Sequence, residues 1–208
     1  IQAVSWIQNK ADVKGLMLCG LPPDFSAGAN LQFIRGLNRK ELADFLVDFQ
    51  QAIEFVRLAP FPVVAALSGL CLGGGCEFAF AADRRVVMAE TRIGLVEAGV
   101  GLLPSGGGIA HMARTQSGLN LCEVHRAIAT GLMCNNAFEA QKKGLLQDED
   151  TILLANDQLL STAVEQLGSL VESWVERPAD FLIQAVDSEE VSAMDQWIAD
   201  QVDRGRFT

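Results

Sequence analysis

Leu58 to Cys76 restricts this chain more than any other segment. Its 19 residues carry no charge, close to the ~20 that cross a bilayer, yet Pro60, Pro62, Gly69, Gly73, Gly74 and Gly75 interrupt it. A lone spanning helix tolerates so many breakers poorly. A buried strand over Pro62–Ser68, a glycine turn over Gly69–Gly75 and a short buried helix over Cys76–Ala82 account for it better. Arg85-Val86-Val87-Met88, within Asp83–Ala89, reads as the next strand. Strand, helix, strand in that order is a crossover unit, so the fold class is α/β.

The same reading extends both ways. Val13–Cys19 is a mostly apolar strand closed by Gly20 and the loop Pro22-Pro23-Asp24. Arg39–Leu58 is a helix, with Leu42, Phe45, Leu46, Phe49, Ile53 and Val56 on one face that is assigned to the core. Glycines crowd residues 99–108, and a helix follows to Arg114. Leu119–Thr130 is helical, Asn136 and Glu139 suggest a capping box, and Gly144 is the matching stop. Leu160, Val164, Leu167, Val171 and Trp174 mark one further helix, and Glu189–Arg204, with Val191, Met194 and Ile198, another. The second half therefore reads as mostly helical. The division expected is a core over residues 1–150, its N-terminal strands missing, and a helical region over 151–208.

Hydrophobic residues make up 50 % of the 208 and charged residues 20 %, enough for a real core and too apolar for a disordered chain. The net charge of −10 argues against a basic nucleic-acid face and against adsorption to anionic lipid. Five cysteines (Cys19, Cys71, Cys76, Cys122, Cys134) form no CxxC pair, so they read as small buried thiols in a reducing compartment, the cytoplasm. His111 and His125 are the only histidines, and no HExxH is present, so no metal site is expected. No signal peptide is visible. The opening from Ile1 reads as mid-helix, as in a piece of a longer polypeptide.

Two glycine clusters each have a glutamate beside them. In Gly73-Gly74-Gly75-Cys76-Glu77, glycines between strand and helix let a ligand approach the backbone, and the helix start offers unpaired N–H groups to a phosphate or an oxyanion. Neither GxxxxGK[ST] nor GxGxxG is present there, which removes both nucleotide readings. Glu77 in the first helical turn could be a plain dipole-stabilising acid, worth ~0.3–1 kcal/mol, but its neighbours Cys76, Phe78, Ala79 and Phe80 are apolar. Glu97, after Ile93-Gly94-Leu95-Val96 and before Gly101-Leu102-Leu103-Pro104 and Gly106-Gly107-Gly108, could equally be a solvated loop acid. Two such acids beside two glycine turns suggest a pair whose environments split their roles.

These segments, from Pro62-Val63-Val64-Ala65-Ala66-Leu67-Ser68-Gly69 through Gly107-Gly108, together with Phe25-Ser26-Ala27-Gly28-Ala29, strongly resemble the crotonase (enoyl-CoA hydratase/isomerase) superfamily. The resemblance covers about Val13 to Leu146. It implies a crotonase-like spiral of ββα units with a C-terminal helical region. It implies an oxyanion hole from the amides of Ala29 and Gly74, with Ala27, Gly28, Gly73 and Gly75 in the substrate-binding loops. Glu77 and Glu97, spaced as in the family's hydratases, would add water to a trans-2-enoyl-CoA in fatty-acid β-oxidation. Glu77 would be the base toward water and Glu97 the acid toward C2. No cofactor is implied, since coenzyme A is part of the substrate. A homotrimer or hexamer is implied, the apolar faces and Trp174 and Trp197 of the C-terminal helices offering contact area. The wording around Gly28-Ala29-Asn30 and Gly94–Gly101 resembles hydratase domains fused to 3-hydroxyacyl-CoA dehydrogenases. Asn30 stands where most relatives have Asp, and Arg35, Arg39 and Lys40 are the nearest basic residues for coenzyme phosphates or a plain solvated helix start. A double-bond isomerase, which needs one carboxylate, and a silent acyl-CoA-binding scaffold are the competing readings.

Overall fold

The computed structural model describes residues 6–7, 10, 12–115, 121–177 and 188–206. Four parallel strands form the first sheet: β1 (Leu16–Cys19), β2 (Val63–Leu67), β4 (Arg84–Met88) and β7 (Thr151–Leu153), in spatial order β1-β2-β4-β7. A second sheet joins β3 (Leu70–Leu72), β5 (Arg92–Gly94) and β6 (Met133–Cys134), parallel between β3 and β5 and antiparallel between β5 and β6. Eight α-helices are described: α1 (Leu31–Gly36), α2 (Arg39–Arg57), α3 (Gly74–Ala81), α4 (Gly108–Thr115), α5 (Leu121–Ala129), α6 (Ala137–Lys142), α7 (Leu159–Glu172) and α8 (Ser188–Asp203).

The chain winds as a spiral. One strand enters the first sheet, a second enters the other sheet, and a helix returns: β2–β3–α3 is one such turn. In the preceding turn a single parallel bridge from Ser26 to Cys71 takes the place of the second strand.

Why Leu58–Cys76 is so apolar now has a physical answer. Both faces of β2 are buried. Val63, Ala65 and Leu67 pack into a core with α2, α3 and the second sheet. Val64 and Ala66 point the other way, with Val86 and Met88 of β4, against Leu159 and Ala163 of α7. A strand covered on both sides has no polar face to alternate with. Among the described residues no helix is long and apolar enough to cross a membrane.

The structure corrects the reading from sequence at several places. Gly69–Gly75 is more than a turn: Gly69 turns at φ 58°, β3 follows, and the helix begins at Gly74, two residues early. The second half contains β6 and β7, and the segment after residue 150 opens with a strand. On α7 the buried residues are Leu159 and Ala163, while Leu160, Val164 and Val171 of the apolar stripe read from sequence are exposed. Cys71, Cys76 and Cys134 are buried but Cys19 is exposed, and the Cys122 side chain lies outside the described residues. Residues 116–120, at the expected start of the Leu119 helix, also lie outside them, as do residues 1–5 of the helix-like opening.

Two local devices fix the elements around the site. Asn38 caps α2 by accepting from the amides of Lys40 and Glu41, and Glu41 returns the bond to the Asn38 amide, a full capping box. Asn30 caps α1 by accepting from the amides of Gln32 and Phe33.

Candidate functional site

The Ser26–Cys71 bridge sets the register of two loops. Ser26 donates to Leu70 O at 2.8 Å and Leu72 donates to Ser26 O at 2.9 Å, so the chains run side by side. Ala29 lies three residues after Ser26, and Gly74 three residues after Cys71. Their amides therefore emerge at neighbouring points, and neither has a hydrogen-bond acceptor among the described residues. Gly74 opens α3, where an N–H has no partner within the helix.

Glycine is required here for definite reasons. Gly73 has φ 54° and Gly28 φ 93°, in the region that side chains avoid. A Cβ on Gly74 would come 2.8 Å from Phe49 Cζ. Gly75 faces the opposite way: a Cβ there would collide with Ser26, so this glycine serves the contact between loops and does not line the cavity.

Ala29 and Gly74 both line a cavity of about 340 Å³. Ala27, Gly28, Ala29, Gly73, Gly74, Glu77 and Glu97 all line it, so seven of the eight residues singled out from sequence meet in one place. Its remaining walls are mostly apolar and come from α1, α2 and the loop after Glu97. Leu42, Phe45, Leu46 and Phe49 belong to that wall and are half-buried, so the first half of the α2 stripe serves the cavity while Ile53 and Val56 serve the core. Helical spacing identifies an apolar face but not what it faces. Arg35, Arg39 and Lys40 are exposed. Among the described residues no cluster of three or more His, Cys, Asp or Glu side chains could hold a metal ion.

The two glutamates sit in contrasting surroundings. Glu77, on α3, is only 2 % exposed, and its Oε1 accepts from Gly106 N at 2.8 Å and Gly108 N at 2.9 Å. Burial raises its pKa above the ordinary carboxylate range, the Gly108 and Gly106 amides oppose the rise, and the Glu97 charge adds to it. Glu97 sits on the 3-10 turn Glu97–Val100. Both its carboxyl oxygens are buried and make no hydrogen bond among the described residues. Burial raises its pKa too, and its own backbone N–H, short of hydrogen-bond geometry, is the one group that opposes the shift. A Cβ on Gly73 would stand 3.4 Å from Glu97 Oε1, so the acid lies against the glycine loop. Two amide donors offset part of the rise at Glu77, and Glu97 has no such partners. The Gly106 and Gly108 amides were not foreseen as partners. The glycine cluster was their only signal, and it does not say which carboxylate it holds.

A spiral of ββα turns whose helix-start amides and two carboxyls share one apolar cavity is the arrangement of the crotonase class. The enoyl-CoA hydratase/isomerase family model matches residues 1–199, and the chain belongs to that family. It is 34 % identical over 167 residues to the fatty acid oxidation complex subunit alpha of Psychrobacter sp. (strain PRwf-1), an alignment covering 79 % of this chain and 22 % of that protein. It is 32 % identical over 152 residues to a probable enoyl-CoA hydratase of Rhizobium meliloti (strain 1021), covering 73 % of this chain and 55 % of that protein. The chain thus spans well under two thirds of the length of either relative. An enoyl-CoA hydratase from Bacillus anthracis superposes with a TM-score of 0.71 at 24 % identity, over 98 % of this chain and 78 % of that one, a likeness of fold. One from Geobacillus kaustophilus HTA426 gives 0.71 at 26 % identity, over 82 % and 62 %.

Proposed function

We propose that this chain is an enoyl-CoA hydratase domain that adds water across C2=C3 of a trans-2-enoyl-CoA in fatty-acid β-oxidation. The observation that carries the reading is the shared cavity wall of Glu77 and Glu97, one carboxyl held by two amides and the other by none. Glu77, whose carboxylate two amides stabilise, takes a proton from water as the water oxygen bonds to C3. The π electrons move to the thioester oxygen, where the Ala29 and Gly74 amides and the start of α3 receive the charge. Glu97, favoured as the acid, then gives its proton to C2 as the enolate collapses. Losing one donor to that oxygen costs about 2.7–4 kcal/mol.

Migration of a double bond consumes no water and needs one carboxyl, so it gives no role to the amides that hold Glu77 ready as a base. Coenzyme A enters as part of the substrate, and no separate cofactor takes part. The subunit name of the Psychrobacter relative supports placing this domain in a larger fatty-acid-oxidation polypeptide, with a trimer or hexamer as the alternative setting.

Hydration of crotonyl-CoA, followed as loss of the enoyl thioester absorbance, tests the reading. Wild type turns over, and Glu77→Gln and Glu97→Gln each fall by about 10²–10⁴-fold. Unchanged turnover in both variants removes the mechanism.

A further inference from the structure

Glu77 lines a second pocket as well as the first. Glu77 is shared by the front cavity and a chamber of about 170 Å³ that Gly106 and Gly107 also line. Its character is opposite to that of the front cavity. Glu54, Arg57, His111 and Arg114 line it, whereas the only polar side chains of the front cavity, among the described residues, are Glu77, Glu97 and Ser105. The chamber runs from buried Glu77 and His111 to exposed Glu54 and Gly107 at the surface. Its polar walls are held in place. Arg57 is paired in parallel with Glu54 at 2.5 and 2.7 Å, and His111 stacks on Phe80 with ring centroids 4.4 Å apart.

We propose that this rear chamber is a water store that opens onto Glu77, supplying the water that Glu77 activates in the front cavity and giving the Glu77 proton a path to solvent. The inference rests on the hydratase reading and extends it. An enoyl chain that fills an apolar cavity occupies the front approach to C3. A water arriving that way must cross a wall offering it almost no hydrogen-bond partner, which is costly. The rear chamber has polar partners and room for several waters, the two conditions a water site needs. It meets the reaction at Glu77 and not at Glu97, which agrees with the division of labour between the two acids. Such a route gives the protons of each turnover a path. One water is consumed, its oxygen joining C3 and one proton going to Glu77, while Glu97 loses a proton to C2. Glu77 must then release its proton, and Glu97 regain one, before the next cycle.

Ala110 of α4 lines the chamber and not the front cavity, so Ala110→Leu narrows it without touching the acyl site. In the full chain, the variant is expected to lose at least tenfold in kcat for crotonyl-CoA hydration, with KM within twofold and a melting temperature near wild type. A crystal structure of wild type with saturated butyryl-CoA is expected to show ordered waters from Glu54 to Glu77 behind the bound acyl group. A dry rear chamber in that complex overturns the proposal, and so does an Ala110→Leu enzyme whose leucine is seen to fill the chamber while kcat stays at the wild-type value. A wild type that hydrates no enoyl-CoA fails differently: it removes the hydratase reading, and with it any water substrate to deliver.

Discussion

Glu97 combines burial of both carboxyl oxygens with the lack of a hydrogen bond, and that combination is costly once the group ionises. The cost has a definite pH signature. Because its pKa in the folded chain is raised, folding is favoured by its protonation. This contribution is complete below the ordinary carboxylate value of about 4.3 and is lost as pH climbs through the raised one. Glu97→Gln removes the ionisation. The variant should therefore be more stable than wild type at pH 8, by on the order of 1 kcal/mol, with the gap closing as pH falls toward 4. Thermal melts across that range check it. Greater stability with lower activity is what a residue kept for chemistry gives, and a variant destabilised equally at every pH would contradict it. Glu77 is raised for the same first reason, but two amide donors offset part of it, so Glu77→Gln should gain less at pH 8.

The loop that starts α4 is where chain geometry and chemistry meet. Gly106 and Gly108 donate to Glu77, and a Cβ on Gly106 would overlap the tips of Ile53 and Phe49 and stand 3.0 Å from Glu77 Oε2. Gly106→Ala should therefore displace the Phe49 ring or the carboxylate. It is expected to cost about 1–3 kcal/mol in unfolding free energy and at least tenfold in kcat, by denaturant melts and the crotonyl-CoA assay. A variant with full activity would show that the amides merely pack beside Glu77. The same elements show what the sequence could convey. Helical spacing located α2 and α8 nearly to the residue, and continuous apolar runs located β2 and β4, whose buried faces leave little room for polar residues. β3 and β7 are three residues each and leave no pattern. α7 is apolar on two sides: Leu159 and Ala163 are buried, while Leu160, Val164 and Val171 of the stripe read from sequence are exposed. In the site, the glycine spacing located the backbone donors. The aromatic wall of Phe45 and Phe49 was taken for core because a cavity and a core want the same side chains.

At the scale of the molecule, a buried ion pair ties β4 to the residue that opens into its neighbour β7. Arg85 Nε meets Asp150 Oδ2 at 2.8 Å, with both side chains almost fully buried. The backbone amide of Arg85 donates to Asp150 Oδ1 and that of Gln147 to Oδ2. Removing one partner of such a pair strands the other charge, so Asp150→Ala should cost about 3–5 kcal/mol by urea unfolding. Since the pair lies outside the cavity, kcat per folded molecule should stay within twofold. A second clamp acts alongside it: Arg177 pairs with Asp83 at 2.6 Å and donates to Ala81 O, fastening the segment after α7 to the end of α3. Neither clamp contributes a residue to the cavity lined by Ala29, Gly74, Glu77 and Glu97.

The account stands on where an acyl thioester binds, and a crystal structure of the chain with a saturated acyl-CoA reads that directly. The account predicts the thioester oxygen at about 3 Å from both the Ala29 and Gly74 nitrogens, with C2 and C3 between the carboxyls of Glu77 and Glu97. An acyl group seated in another pocket, or a carbonyl turned away from those two amides, would contradict it.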